Sequence, residues 1–227
     1  MFSQEELKKR VGTYAADYVE QGMTIGLGTG STVYWLIQEL SQRVQQGLQI
    51  QIVPTSRQTQ TLANEAGITI VDLNDTNGLM LTIDGADEVD NELNLIKGGG
   101  GALLQEKIVA AASKELIIIA DGSKCVKKLG AFPLPIEVIP FGWKQVQQKI
   151  IGLGCAEVVL RERNGQTFVS DHGHYILDCH FNVIEKPLSL NTSLHDIPGV
   201  VETGLFINMA DIVIVGTEDG KIELKHA

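Results

Sequence analysis

From about residue 23 to residue 120, short β-branched apolar runs alternate with stretches whose apolar residues recur every three or four positions. Strands that alternate strictly with helices must pair in parallel, because each crossover returns the chain to the same end of the sheet, and the helices then cover both faces. Ahead of the first run, Ser3 and Glu6 stand at capping-box spacing, and Leu7, Val11, Tyr14, Ala15, Tyr18 and Val19 follow at helical intervals, which predicts an amphipathic opening helix. Residues 23–27 read as a buried strand. It runs into Gly28-Thr29-Gly30-Ser31-Thr32, after which Val33, Leu36, Ile37 and Leu40 resume the helical period. Further strands are expected at 49–53, 68–71, 79–83 and 116–120, with helices at 57–66 and from residue 102.

The pattern breaks at residues 132–140, where three prolines (Pro133, Pro135 and Pro140) rule out a central parallel strand. Beyond them the spacing predicts a helix from Trp143, strands at 156–161, 167–170 and 175–181 with a hairpin turn at Asn164-Gly165, and a helix at 188–197. Residues 211–215 are again a buried strand, with 221–224 pairing to it across a turn. The expected fold is therefore α/β, a mostly parallel Rossmann-like sheet domain (residues 1–130 plus 205–227) with a smaller inserted α+β domain (131–204) that serves as a lid or a subunit contact.

With 44% hydrophobic and 20% charged residues in 227, the composition is that of a globular chain and not a disordered one. Twenty-eight acidic against 18 basic residues leave a formal charge of −10, which argues against nucleic acid and anionic membranes as partners and requires a local cation for any anionic substrate. No apolar run approaches the roughly 20 residues of a membrane span. The acidic N-terminus lacks the features of a secretory signal, so a cytoplasmic location is expected. Cys125, Cys155 and Cys179 are too widely spaced for a disulfide framework or a paired-thiolate metal site.

Three segments carry candidate chemistry, and each follows the carboxyl end of an expected strand, where open α/β sheets place their ligand crevices. Gly28-Thr29-Gly30-Ser31-Thr32 offers exposed amides, hydroxyls and a helix N-terminus, which suits an anion, although a tight structural turn would use the same residues. Asp84-Gly85-Ala86-Asp87-Glu88 brings three carboxylates together as a catalytic group, a metal site or a solvated turn. Lys97-Gly98-Gly99-Gly100-Gly101 has four consecutive glycines, each costing about 1 kcal/mol relative to alanine in regular structure, so close approach of a ligand to the backbone competes with a floppy loop as the explanation. Glu106, in the first turns of the next helix, and Lys97 supply one base and one cation.

In this order and spacing, together with Asp121-Gly122-Ser123-Lys124, residues 132–138 and residues 198–206, the segments resemble the type A family of ribose-5-phosphate isomerases over essentially the whole chain. The resemblance implies interconversion of D-ribose 5-phosphate and D-ribulose 5-phosphate without metal or organic cofactor, by a homodimer or a homotetramer. It places the proton acceptor on Glu106. Substrate contacts fall on Thr29, Gly30, Ser31 and Thr32, on Asp84, Gly85, Ala86 and Asp87, on Lys97, Gly98, Gly99 and Gly100, on Lys124, and on Lys8. Gly101, Gln105 and His174 depart from the residues usual in the family.

The chemistry expected is transfer of one proton between adjacent carbons through an enediolate. Glu106 acts as base, Lys97 stabilises the enediolate, Asp84 opens the sugar ring and Asp87 orients hydroxyls. A non-catalytic sugar-phosphate sensing domain is the alternative, followed by a coenzyme A transferase half-domain and a metal-dependent hydride-shift isomerase. The histidines His172, His174 and His180 are assigned structural or surface roles, with no metal site expected.

Overall fold

The structure, a computed structural model, describes residues 2–227, which pack as two compact units. The first comprises Met1–Ala86, Gln105–Cys125 and Met209–Ala227, the second Asp87–Leu104 and Val126–Asn208. The second unit thus takes in Asp87–Leu104 as well as the region expected as an insertion.

The first unit is built on a seven-stranded sheet in the order Ile222–His226, Ile212–Gly216, Leu116–Asp121, Leu81–Gly85, Thr24–Leu27, Gln51–Pro54, Thr69–Ile70. All neighbours are parallel except the edge strand Ile222–His226, which returns antiparallel through a tight turn. Leu116–Asp121 is buried along its whole length. Its Ile117, Ile118 and Ile119 are no more than 1% exposed, and each contributes about 2 kcal/mol by leaving water. The opening helix, Gln4–Ala15, carries the expected reciprocal cap: the Glu6 amide donates to Ser3 Oγ at 3.2 Å and the Ser3 amide to Glu6 Oε2 at 2.7 Å. Val11 and Ala15 from this helix join Val33, Leu36, Ile37 and Leu40 of the helix Ser31–Gln45 in the core over the sheet. No helix among the described residues is long and apolar enough to cross a membrane.

The second unit contains a four-stranded antiparallel sheet, Val200–Thr203, Leu134–Val138, Tyr175–His180, Glu157–Leu160, whose apolar face packs with Val146 and Ile150 of the helix Trp143–Gly152 and Leu194 of Pro187–His195. A three-stranded sheet joins Leu205–Phe206, Leu95–Ile96 and Glu88–Val89, and a hairpin pairs Glu162–Arg163 with Gln166–Thr167. Its turn residues Asn164 and Gly165 have φ of 55° and 74°, as the sequence anticipates for a two-residue hairpin.

Leu134–Val138 is an interior strand despite Pro135. The ladder tolerates the missing N–H for a local reason. The Pro135 carbonyl accepts from the Gly204 amide at 2.7 Å, while the Gly204 carbonyl, which a non-proline residue at 135 would face, instead accepts from the Lys97 amide at 2.9 Å. No buried acceptor is left waiting for the absent donor.

Candidate active site

In the first unit the strand order reverses between Thr24–Leu27 and Leu81–Gly85, the topological switch point at which open α/β sheets leave a crevice. Gly28, just past the first strand, lies close against Asp84 of the second. A Cβ on Gly28 would lie 2.0 Å from Asp84 Oδ1 and 2.5 Å from Asp84 Cα, so only glycine fits. Asp84, 1% exposed, accepts through Oδ1 from the amides of Thr29 at 3.0 Å and Gly85 at 2.7 Å. The carboxylate thereby ties the first glycine loop to the second acidic loop.

Gly30, at φ 122°, caps the helix Ser31–Gln45 without a side-chain acceptor, leaving the first-turn amides and the exposed Ser31 available to an anion. Thr32 is largely buried. Thr29 is fixed by a cluster of hydroxyls: its Oγ1 lies 2.8 Å from Thr55 Oγ1, 2.8 Å from Ser56 Oγ and 3.1 Å from Thr59 Oγ1, and Thr59 Oγ1 donates to the Gly28 carbonyl at 2.7 Å. Sequence reasoning missed Thr55, Ser56 and Thr59. The rule that singled out the other loops applies here too, since Thr55 and Ser56 directly follow the strand Gln51–Pro54 and Thr59 lies in the first turn of the next helix, Arg57–Glu65.

Glu106 sits in the first turn of the helix Leu103–Ala111 and is only 5% exposed. Lys124, half-buried, lies in the turn Gly122–Lys124 at the carboxyl end of Leu116–Asp121, where Asp121 Oδ1 accepts from the Ser123 amide at 3.0 Å. Lys8 is half-buried on the opening helix, whose Leu7 and Val11 press against Gly216 at the end of Ile212–Gly216. Thr29, Thr55, Asp84 and Lys124 therefore all stand at the carboxyl edge of the same parallel sheet.

The second unit holds the remaining candidates. Asp87 Oδ2 accepts from the Gly99 amide at 2.8 Å, which joins the acidic loop to the four-glycine loop. Lys97 is 2% exposed, with Nζ 5.4 Å from the centroid of the Phe206 ring. Gly98 and Gly101 have φ of 103° and 90°, and a Cβ on Gly101 would lie 2.4 Å from Phe168 Cζ. Glu88, the third carboxylate of the acidic segment, is buried and accepts from the amides of Gly130 at 2.7 Å and Phe132 at 2.6 Å, which makes it an anchor of that loop. His174 Nδ1 lies 2.9 Å from Oε1 of the buried Glu137, which also accepts from Ser170 Oγ at 2.7 Å.

A parallel α/β sheet with a glycine loop and a buried carboxylate at its switch point defines the class of α/β proteins that take a small ligand in that crevice. Comparison with known proteins narrows this to one family. The sequence pattern described as ribose 5-phosphate isomerase A (phosphoriboisomerase A) matches residues 51–220. Ribose-5-phosphate isomerase A of Bacillus mycoides (strain KBAB4) is 59% identical over 215 residues, 94% of this chain and 97% of that one. Among solved structures, ribose 5-phosphate isomerase from Plasmodium falciparum superposes with a TM-score of 0.95 at 38% identity, covering 98% of this chain and 99% of that chain. A D-ribose-5-phosphate isomerase in complex with phospho-erythronic acid gives 0.96 at 39% identity, covering 100% of both. The chain belongs to the ribose 5-phosphate isomerase A family.

Proposed function

We propose that this chain, an enzyme of the ribose-5-phosphate isomerase A type, moves the carbonyl of D-ribose 5-phosphate between C1 and C2 by proton transfer through an enediolate, with Glu106 as the single base. The observation that carries the assignment is the burial of Glu106 in the first turn of its helix. A carboxylate drawn out of bulk water is less solvated and acts as a better base toward carbon, and a single such group can take a proton from one carbon and, after exchange with solvent, deliver one to its neighbour. In the forward direction Glu106 removes the C2 proton, the C–H electrons form the C1–C2 double bond, and the C1 oxygen takes up a proton. As the C2 hydroxyl then loses its proton, Glu106 returns its own to C1.

Lys97 stabilises the oxygen charge of the enediolate. Asp84 opens the furanose ring and relays the hydroxyl proton, and Asp87 orients substrate hydroxyls. The amides and hydroxyls of Thr29, Gly30, Ser31 and Thr32, with Lys124 and Lys8, receive the phosphate, while Gly85, Ala86, Gly98, Gly99 and Gly100 line the sugar. The complex of a relative with phospho-erythronic acid supports a substrate of the phosphosugar class. No metal or organic cofactor enters the scheme, and the working form is a cytoplasmic homodimer or homotetramer.

The test is turnover of ribose 5-phosphate in heavy water with a chelator present. Carbon-bound deuterium in the product is expected, and activity that requires an added metal and leaves no label would replace the enediolate with a hydride shift. Glu106→Gln should keep substrate affinity and lose turnover by roughly 100-fold or more, the scale of general-base catalysis; near-normal turnover removes Glu106 from the role. Binding without turnover in the unaltered protein would favour the sensing alternative.

A further inference from the structure

The four-glycine loop has no side chains with which to hold itself, and beyond the turn bond from the Gly101 amide to the Gly98 carbonyl at 2.9 Å its carbonyls are capped from one place. Arg161 Nη1 donates to the Gly98 carbonyl at 2.8 Å and to the Gly99 carbonyl at 3.2 Å. Arg163 Nη2 reaches the Gly100 carbonyl at 3.3 Å, and its guanidinium lies 4.5 Å from the centroid of Phe168, the ring that fills the space beside Gly101. Arg161 is in turn held in a two-pronged pair with Asp178, through Nε to Oδ2 at 2.9 Å and through Nη2 to Oδ1, and its side chain is only 11% exposed. One planar guanidinium thus bridges the strand Tyr175–His180 and two successive loop carbonyls, a span that the single nitrogen of a lysine cannot reproduce. Asp87 holds the amide side of the same loop at Gly99.

We infer that Arg161, oriented by Asp178, is a positioning residue that keeps the Gly98–Gly101 backbone in its substrate-receiving shape. The inference rests on the proposed role of this loop in binding the sugar. Lys97 is secured separately, by the hydrogen bond that its amide donates to the Gly204 carbonyl and by Phe206, so loss of the brace frees the loop without releasing the lysine. A loop that is in the receiving shape for only a fraction of the time weakens apparent affinity by that fraction, while saturating substrate restores the shape. The signature is therefore a rise in KM with kcat retained.

Arg161→Ala is expected to raise KM for ribose 5-phosphate about ten-fold or more and to leave kcat within about three-fold of the unaltered enzyme. Arg161→Lys, which keeps the charge beside Asp178 and guards against misfolding, should show the same rise in KM with a smaller loss of thermal stability. In both variants, hydrogen exchange of a peptide spanning residues 97–104 should quicken in the free protein. An unchanged KM in Arg161→Lys, a fall in kcat at constant KM, or unaltered exchange in the loop would each overturn the inference. Because the exchange measurement needs no turnover, it separates this failure from a failure of the proposed reaction, which would appear instead as an inactive parent enzyme or a fully active Glu106→Gln.

Discussion

Replacing Gly28 with alanine tests the close approach of Gly28 to Asp84 at the switch point. The added methyl would sit 2.5 Å from Asp84 Cα and 2.0 Å from Asp84 Oδ1. Carbon atoms pack at about 3.5 Å or more, so the strands must part by roughly 1 Å. That movement breaks two bonds that now measure 2.9 Å, from the Gly28 amide to the Ile83 carbonyl, and 3.0 Å, from the Thr29 amide to Asp84. At about 1 kcal/mol for each bond and about 1–3 kcal/mol for the overpacking, the expected loss is about 3–5 kcal/mol. In a chain of this size that lowers the melting temperature by roughly 6–20 °C. Calorimetry of Gly28→Ala measures it, with Gly152→Ala as the control of opposite sign: nothing lies within 4 Å of a Cβ there, at a helix end, so alanine should be neutral or stabilising by about 0.5–1 kcal/mol. Gly28→Ala melting within about 2 °C of the parent would refute the argument.

The Lys124→Met variant should raise KM for ribose 5-phosphate by roughly ten-fold or more, the worth of a hydrogen bond to a charged group, and should blunt the dependence of KM on salt. Unchanged affinity would exclude Lys124 from phosphate binding. Burial pushes the Cys179 thiol up and keeps it protonated, while Cys155, although lowered by its hydrogen bond with Cys179, is itself covered. Brief alkylation of the native protein near neutral pH should therefore mark Cys125 first, and mass spectrometry showing equally rapid modification of Cys155 or Cys179 would contradict that burial.

Much of the first unit could be read from sequence because its signals are local. The unbroken apolar run at residues 116–120 and the Ser3–Glu6 pair each announce their element within a few residues. The position of the candidate loops was legible because each follows the carboxyl end of a strand, as at Thr29 and Asp84. The two-residue strands Glu88–Val89 and Leu95–Ile96 are too short to show any periodicity, and they carry the chain into the second unit. Three prolines hid the strand Leu134–Val138, because its tolerance of Pro135 depends on where a carbonyl at residue 204 turns. Arg161 left no local signature, since its function is defined by carbonyls more than sixty residues earlier.

At Gly204 the chain leaves one small sheet for the other, and a side chain there would strike the Lys97 carbonyl at 2.4 Å and Pro135 Cδ at 2.8 Å. The main chain of Lys97 is thus mounted on a splice between two ladders, and the neighbouring glycines extend from it like a separate fitting. On the proposed reading of the site, engineering for other sugars can begin with those glycines and their arginine clamp, leaving the seat of Lys97 untouched.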